Sequence, residues 1–389
     1  MKTVLIIQRQ MKLYRAPLFA KLHGLLREEG IELTVAYSAP PHRETQKKDT
    51  CALPTEYGLK VKDYSFLPEG LLYQPVMRKA LRSDLVIVEQ ANRHLLNHVL
   101  VPLSRAGLCR VAFWGHGKNG QPNRLAFSEW YRRITLNWVS WWFAYTNGTA
   151  KYLESQGVPM SRITAVQNAV DTQEIQEHLK GLTREDRKAL RSRWNIPAAA
   201  PVGIYCGVLD KSKSLPFLLE ASKLLKAANP DFHLILVGAG PEQVELQKRI
   251  DGITWVHWAG PQFGKVKAEL LSISDVFLLP SAVGLAILDA FAGGLPIVTT
   301  RHPAHGPEIE YLEPGINGLM TNHQPGAYAQ EVTSLFAARD FLARLQLGAK
   351  ASAGKYSIED MAANFANGIQ SCLGLRETIR KPLGFQRAS

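Results

Sequence analysis

Two successive series of short β-branched runs, each run separated from the next by a helical stretch, constrain this chain more than any other feature. In the first half the runs are Val4–Gln8, Leu33–Tyr37, Leu85–Glu89, Val111–Trp114, Trp142–Thr146 and Ile163–Val166. The second half repeats the plan with Val202–Cys206, Leu234–Val237, Thr254–His257, Val276–Leu279 and Ile297–Thr299. Strands that alternate with helices predict parallel sheets, because each parallel pair needs a crossover, usually a helix. Two such series in 389 residues give two doubly wound α/β domains that face each other, each with its own core.

Between the series, Thr183–Arg193 is expected to be a charged helix that opens with a Thr183-x-x-Asp186 cap. Pro197-Ala-Ala-Ala-Pro201 then leads into the second domain. These signals divide the chain into residues 1–170, a linking segment 171–198, a second domain 199–355, a helical end 356–375 and a tail 376–389. The tail is expected to be disordered.

Composition excludes several classes. Hydrophobic residues make 46% and charged residues 21% of the chain, as in a globular protein. Cys51, Cys109, Cys206 and Cys372 are scattered and form no Cys-x-x-Cys pair, so reduced thiols in a cytoplasmic protein are the simplest account. No apolar run reaches the roughly 18 residues needed to span a bilayer. The apolar start Val4–Ile7 is too short for a signal peptide and meets Gln8-Arg9 at once. The net charge is +12, and residues 1–170 hold 23 Lys and Arg against 12 Asp and Glu, whereas the remainder holds 23 against 22. So one-sided a surplus points to an anionic partner for the first half: membrane lipid, a phosphorylated acceptor or nucleic acid.

Chemistry concentrates in residues 281–300. A strand stops at Pro280, a turn reaches Gly284-Leu285, a short helix follows, and Gly293-Gly294 ends it before the next strand. Gly284 lets a ligand approach the backbone, and the helix start offers N–H groups to an anion. Asp289, the one charged residue of that helix, is expected about one and a half turns in; the simplest role for it is to complement the helix dipole.

This stretch resembles the donor-site signature of family 4 retaining glycosyltransferases, which have the two-domain GT-B fold with Rossmann-like halves around a central cleft. The family pattern has a Glu, Gly-x-Gly-Leu and a second Glu, so the resemblance implies that Asp289 holds the ribose hydroxyls of a nucleotide sugar. The first family Glu falls on Ser281 and is missing. Gly207-Val208-Leu209-Asp210-Lys211-Ser212-Lys213 resembles the family's Gly-Arg-Leu-x-x-x-Lys-Gly. Lys213 keeps the lysine that holds the diphosphate, Val208 replaces the arginine, and Lys211 lies close enough to compensate. Gly238-Ala239-Gly240-Pro241 matches the family's Gly-x-Gly-Pro loop near the base, and Pro307-Glu308 the loop after the donor helix. Glu308 is placed to meet the sugar in place of the glutamate missing at Ser281, with a plain surface carboxylate as the alternative. Gln167-Asn168-Ala169-Val170-Asp171 resembles the family's Asn-Gly-Val-Asp and is taken as structural.

In the first domain, His116 lies at a strand end between glycines, where the family puts a histidine near the transferred sugar. It is expected to position the sugar, not to act as a general base. Arg9 and Arg15 flank the first strand–helix loop and Glu89 ends a strand; they are candidates for acceptor or phosphate contacts or, for the arginines, plain solvated charges. Arg124, Arg132 and Arg133 stand among Trp130, Tyr131, Trp138, Trp141 and Trp142, a mixture that suits an anionic membrane surface. Trp142 is instead expected in the core. No nucleic-acid recognition motif is present.

The resemblance implies a last helix that crosses back to the first domain and a hexosyltransferase that works without a bound metal or cofactor. It would transfer to a hydroxyl of a surface glycan or lipid-linked saccharide at the inner face of the cell membrane. The alternatives are a degenerate relative that binds nucleotide or a partner without transfer, and a nucleotide-sugar epimerase. A dinucleotide oxidoreductase fits poorly, because Gln8–Tyr14 contains no glycine. Replacing Asp289 with Ala is expected to weaken nucleotide binding without unfolding the protein.

Overall fold

The computed structural model describes residues 1–40, 50–66, 71–117, 130 and 133–375. The expected tail, and Arg124, Tyr131 and Arg132 of the basic aromatic segment, lie outside the described residues. The chain forms two compact units, one from Met1–Gln167 with the chain from Glu359 onward, the other Asn168–Ile358.

The first unit is built on seven parallel strands: β1 (Lys2–Gln10), β2 (Ile31–Ser38), β3 (Gly58–Val61), β6 (Leu85–Glu89), β7 (Val111–Gly115), β8 (Trp141–Ala144) and β9 (Ile163–Ala165). They lie in the order β3-β2-β1-β6-β7-β8-β9, while β4 (Tyr64–Phe66) and β5 (Leu71–Tyr73) make a separate antiparallel pair. The central strands carry continuous hydrophobic runs, Val4–Ile7, Leu85–Val88 and Val111–Trp114, that are buried throughout, as expected where helices cover both faces. Trp141 and Trp142 belong to this core, with the Trp142 indole N–H donating to Leu136 O at 2.9 Å. Trp130 and Arg133 are exposed.

The last helix, Ile358–Leu373, packs on the same sheet. Phe365 stacks on Phe143 with ring centroids 4.5 Å apart and meets Trp114 edge-on at 4.9 Å. One turn on, Gly368 sits so close to β8 that a Cβ there would lie 2.6 Å from the Phe143 ring.

The second unit has six parallel strands, β10 (Val202–Cys206), β11 (His233–Val237), β12 (Val256–Gly260), β13 (Val276–Leu278), β14 (Ile297–Thr300) and β15 (Gly318–Thr321), in the order β12-β11-β10-β13-β14-β15. The chain therefore winds outward from β10 in one direction and from β13 in the other, which puts a topological switch point between their carboxyl ends. The helix Arg184–Arg193 begins at Thr183 with a reciprocal cap, Thr183 Oγ1 accepting from Asp186 N and Asp186 accepting from Thr183 N.

The sheets match the expected α/β class, with local differences. β12 starts two residues later than the run Thr254–His257 suggests. β15 begins at Gly318, where only a glycine lets the strand approach: a Cβ there would stand 2.2 Å from Ile297 O. β3 is a short edge strand whose Lys60 breaks the hydrophobic pattern.

Phe365→Ala removes a side chain that is 0% exposed. Urea unfolding is expected to show a loss of about 3–5 kcal/mol; a loss below about 1 kcal/mol would contradict the packing described here.

Candidate functional site

In the second unit the residues singled out by the sequence converge at the carboxyl ends of β10 and β13. After β10 the chain makes a tight turn, Lys211–Lys213, capped by Asp210, whose carboxylate accepts from Ser212 N at 2.9 Å. Beneath it, Gly207 and Leu209 lie against the loop after β11. Cβ atoms on Gly238 and Gly240 would stand 1.9 Å from Gly207 O and 2.3 Å from Leu209 O, so only glycines allow the two loops to touch. Lys213 reaches across and donates from Nζ to Ala282 O in the loop after β13. Burial pushes the Lys213 ammonium below the ordinary lysine range, and the nearby Asp210 and Glu308 carboxylates work against that shift. Lys211 is exposed and Val208 is 41% exposed.

The loop Pro280–Gly284 is tied at each residue up to Val283. Pro280 O accepts from Thr300 Oγ1 at 2.6 Å, and Ser281 Oγ donates to Ser212 O at 2.6 Å and meets Ser214 Oγ at 2.9 Å. Ala282 O takes the Lys213 ammonium, and Val283 O accepts from Gly306 N at 2.7 Å. These ties hold Ala282 at φ +46°, a left-handed conformation costing about 1–2 kcal/mol for a residue with a Cβ. It is the position where the family signature has its first glycine. Ser281, at the family glutamate position, is fully buried and serves the loop.

A carboxylate nonetheless reaches this loop. Glu308 is 4% exposed, not on the surface, and its Oε1 accepts from Asn168 Nδ2. Its Oε2 would be 3.8 Å from a Cβ on Gly284 and 2.7 Å from one on Gly306. Among the described residues, chain neighbours aside, no other atom stands within 4 Å of the Gly284 Cβ position, so the backbone there is open. Asn168, expected to be structural, is thus also the residue that orients Glu308; it is 2% exposed, and its own C=O accepts from Tyr311 Oη at 3.1 Å.

Leu285 caps the helix Ala286–Ala292, which starts late enough to put Asp289 in its first turn, closer to the helix start than the spacing suggests. Asp289 Oδ1 is 2.8 Å from Lys267 Nζ, and the two side chains are 16% and 17% exposed. Burial disfavours the charged Lys267, but Asp289, Cys206 and Glu174 together outweigh it and the lysine rises above its ordinary value. The pair adds a cost to the expectation for Asp289→Ala: the variant strands a mostly buried ammonium and loses stability whatever Asp289 binds. Lys267 is 22 residues away on another helix, and the only sequence signal for it is the need of one isolated acid for a counter-charge.

In the first unit, Arg15 is not a solvated charge. It is 6% exposed, and its guanidinium lies 4.5 Å from the Trp114 ring centroid and 5.8 Å from that of Tyr145. Burial raises the Glu89 carboxyl, with Arg15, Arg93 and Arg9 opposing and the Arg9 N–H donating to it. His94, 4% exposed, is 3.9 Å from Glu89 and is pushed down to about 4 by burial first, then by Arg93 and Arg9. His116 is exposed, edge-on to Tyr145 at 6.0 Å. Arg9, Arg15 and Glu89 thus gather where β1 and β6 lie side by side at the first unit's own switch point.

Two family models match this chain: one described as glycosyl transferases group 1 over residues 200–338, the other as glycosyltransferase family 4 over residues 19–174. A sulfoquinovosyl transferase of Arabidopsis thaliana is 30% identical over 138 residues, 35% of this chain and 26% of that one. A lipopolysaccharide core biosynthesis glycosyltransferase of Rhizobium meliloti is 30% identical over 177 residues, 43% of this chain and 49% of that one. The chain thus spans about half or less of the curated relatives it matches. Among solved structures, Anabaena HepE in complex with UDP is similar at a TM-score of 0.70 and 17% identity, covering 95% of this chain and 100% of that one.

The fold and the loops at its switch point define a GT-B protein. Within that class the chain belongs to glycosyltransferase family 4, the glycosyl transferases group 1.

Asp289→Ala is expected to lose about 2 kcal/mol of stability. Combining Asp289→Ala with Lys267→Met should cost less than the sum of the two single losses, because no charge is then left stranded. Chemical denaturation of the single and double variants measures both quantities, and additive losses would refute the pair.

Proposed function

We propose that this protein is a retaining hexosyltransferase that uses a nucleoside diphosphate sugar and glycosylates a hydroxyl of a surface glycan or lipid-linked saccharide, without a bound metal. The observation that carries this reading is the convergence of Lys213, the open backbone at Gly284 and the buried Glu308 at one sheet switch point, with Asp289 in the helix that follows. Family membership and the glycosyltransferase names of the relatives support it.

Each group has a task that its chemistry suits. Lys213 carries three N–H donors, one of them on Ala282 O, and faces the diphosphate. As the bond from the anomeric carbon to the phosphate oxygen breaks, negative charge collects on the departing diphosphate, and a placed ammonium stabilises it. The acceptor oxygen bonds to the same face of the anomeric carbon, and its proton goes to the leaving phosphate oxygen. Glu308 accepts hydrogen bonds from sugar hydroxyls, in place of the glutamate missing at Ser281. Asp289, held in line by Lys267, accepts from the ribose hydroxyls, and Gly207, Gly238 and Gly240 shape the floor near the base. His116 positions the sugar, and Arg9, Arg15 and Glu89 meet the acceptor.

The first unit also carries exposed Lys60, Lys62, Arg78, Lys79 and Arg82, and exposed Phe66 (52%) and Leu81 (51%). Such a surface suits anionic lipid, at about 1 kcal/mol for each basic residue near the headgroups. No described helix is long and apolar enough to cross a membrane. This reading puts the protein on the inner face of the cell membrane, where lipid-linked acceptors are presented. The residues absent at Val208 and Ser281 leave one competing reading, a relative that binds nucleotide and transfers nothing.

Thermal-shift measurement with UDP, GDP, ADP and their hexose conjugates is expected to show a selective rise for one nucleotide. Release of that nucleotide from its sugar conjugate on adding acceptor should then drop roughly 10²–10³-fold in Lys213→Met. Nucleotide binding with no release in the parent protein would favour the non-transferring relative.

A further inference from the structure

Behind the donor loop stands a residue that neither the family signature nor the site described above uses. His305, in the segment between β14 and Glu308, accepts at Nδ1 from Val283 N, 3.1 Å away. Its Nε2 lies 2.7 Å from Thr300 O. A carbonyl only accepts, so the ring proton must sit on Nε2; Nδ1 is then the bare nitrogen that an N–H can meet. Both ring nitrogens are thereby committed, and the imidazole bridges the end of β14 to the backbone amide one residue before Gly284.

We propose that His305, in its neutral form, is a positioning residue that sets the backbone at Val283-Gly284 for the diphosphate sugar. The inference rests on the proposed donor site. Val283 is fully buried, so its amide has no water to turn to when the imidazole is withdrawn. Two neighbouring ties are backbone or hydroxyl bonds indifferent to pH: Gly306 N to Val283 O at 2.7 Å and Thr300 Oγ1 to Pro280 O at 2.6 Å. A third, the Lys213 ammonium on Ala282 O, is only kept charged by falling pH, so His305 is the tie that acid breaks. A proton on Nδ1 turns the acceptor into a second donor that points at an N–H, and the tie breaks.

The surroundings oppose that proton at neutral pH. Burial lowers His305 from the ordinary value of 6.5, and although Thr300 O raises it, His302, Lys213 and His323 lower it further. These face it from its own segment, from the turn after β10 and from the end of β15. His323 Nδ1 is 2.8 Å from Thr300 Oγ1, and since that hydroxyl donates to Pro280 O, it accepts from the histidine. Phe217 stacks on the His323 ring at 4.5 Å and 12°. The Glu308 carboxylate lies in the same segment, with Oε2 against Gly306, and Asn168 holds its other oxygen. Because the folded protein favours neutral His305, the tie is intact at neutral pH and weakens as pH falls below the ordinary histidine range.

The test compares His305→Asn and His305→Ala with the parent protein. Asn puts an amide oxygen near the Nδ1 position and does not titrate; Ala offers nothing. Affinity for the nucleoside diphosphate identified by thermal shift is expected to fall in the parent as pH is lowered toward 5. In His305→Asn it should stay within a few-fold of the neutral parent value, with the acid fall flattened. In His305→Ala it should be roughly tenfold weaker at every pH. An acid fall that persists in both variants, or His305→Ala with parent affinity, overturns the proposal. Amide hydrogen exchange at Val283 supplies a readout that needs no ligand. Protection lost in His305→Ala and kept in His305→Asn upholds the tie even if no nucleotide binds, in which case only the donor assignment fails. Unchanged Val283 protection in His305→Ala refutes the tie whatever binds.

Discussion

The second unit is organised by the side-by-side pairing of two parallel strands, β10 and β13, from which the chain departs in opposite directions. Loops that leave such a pair diverge, so neither covers the other and the backbone at the strand ends stays accessible. Everything assigned to the site follows from that divergence. The turn Lys211–Lys213 comes from one side and the loop Pro280–Gly284 from the other, and Lys213 Nζ and Ser281 Oγ connect them. Two pairs of close backbone approaches, Gly238 on Gly207 and Gly240 on Leu209, keep the floor rigid.

The carboxylate at this loop does not come from the position of the first family glutamate, Ser281. Ser281 is too short to carry the function of a glutamate and instead spends its hydroxyl on the turn after β10. The carboxylate is that of Glu308, which a buried asparagine orients and a half-buried lysine accompanies. A buried carboxylate without such partners would cost several kcal/mol or take up a proton. The same logic applies to Asp289 and Lys267, a pair whose members come from different helices and lie mostly out of water.

Most of the architecture could be read from hydrophobic period alone, because parallel strands buried on both faces leave long β-branched runs that little else produces. The positions of Lys213 and Gly284 were legible for a related reason: turns at strand ends are spelled with glycine, proline and capping residues. What was not legible has a common cause. The partners Asn168–Glu308, Lys267–Asp289 and His305–Val283 join elements 22 to 140 residues apart, and pairing across the fold leaves no local pattern. β15 was hidden because Gly318 reads as a turn signal, whereas it is there for close approach to Ile297. Whether Arg15 was a ligand contact or a surface charge was left open in the sequence, because nothing in its neighbourhood announces that Trp114, 99 residues on, lies against it.

The claim that the whole account stands on is that Lys213 faces a diphosphate. Calorimetric titration of the full chain with the matching nucleoside mono- and diphosphates, in the parent protein and in Lys213→Met, tests it most directly. The account predicts that the parent binds the diphosphate roughly tenfold or more tightly than the monophosphate, and that the variant loses most of this preference while its monophosphate affinity changes little. Equal loss for both nucleotides, or a diphosphate preference that survives without the lysine, would contradict it.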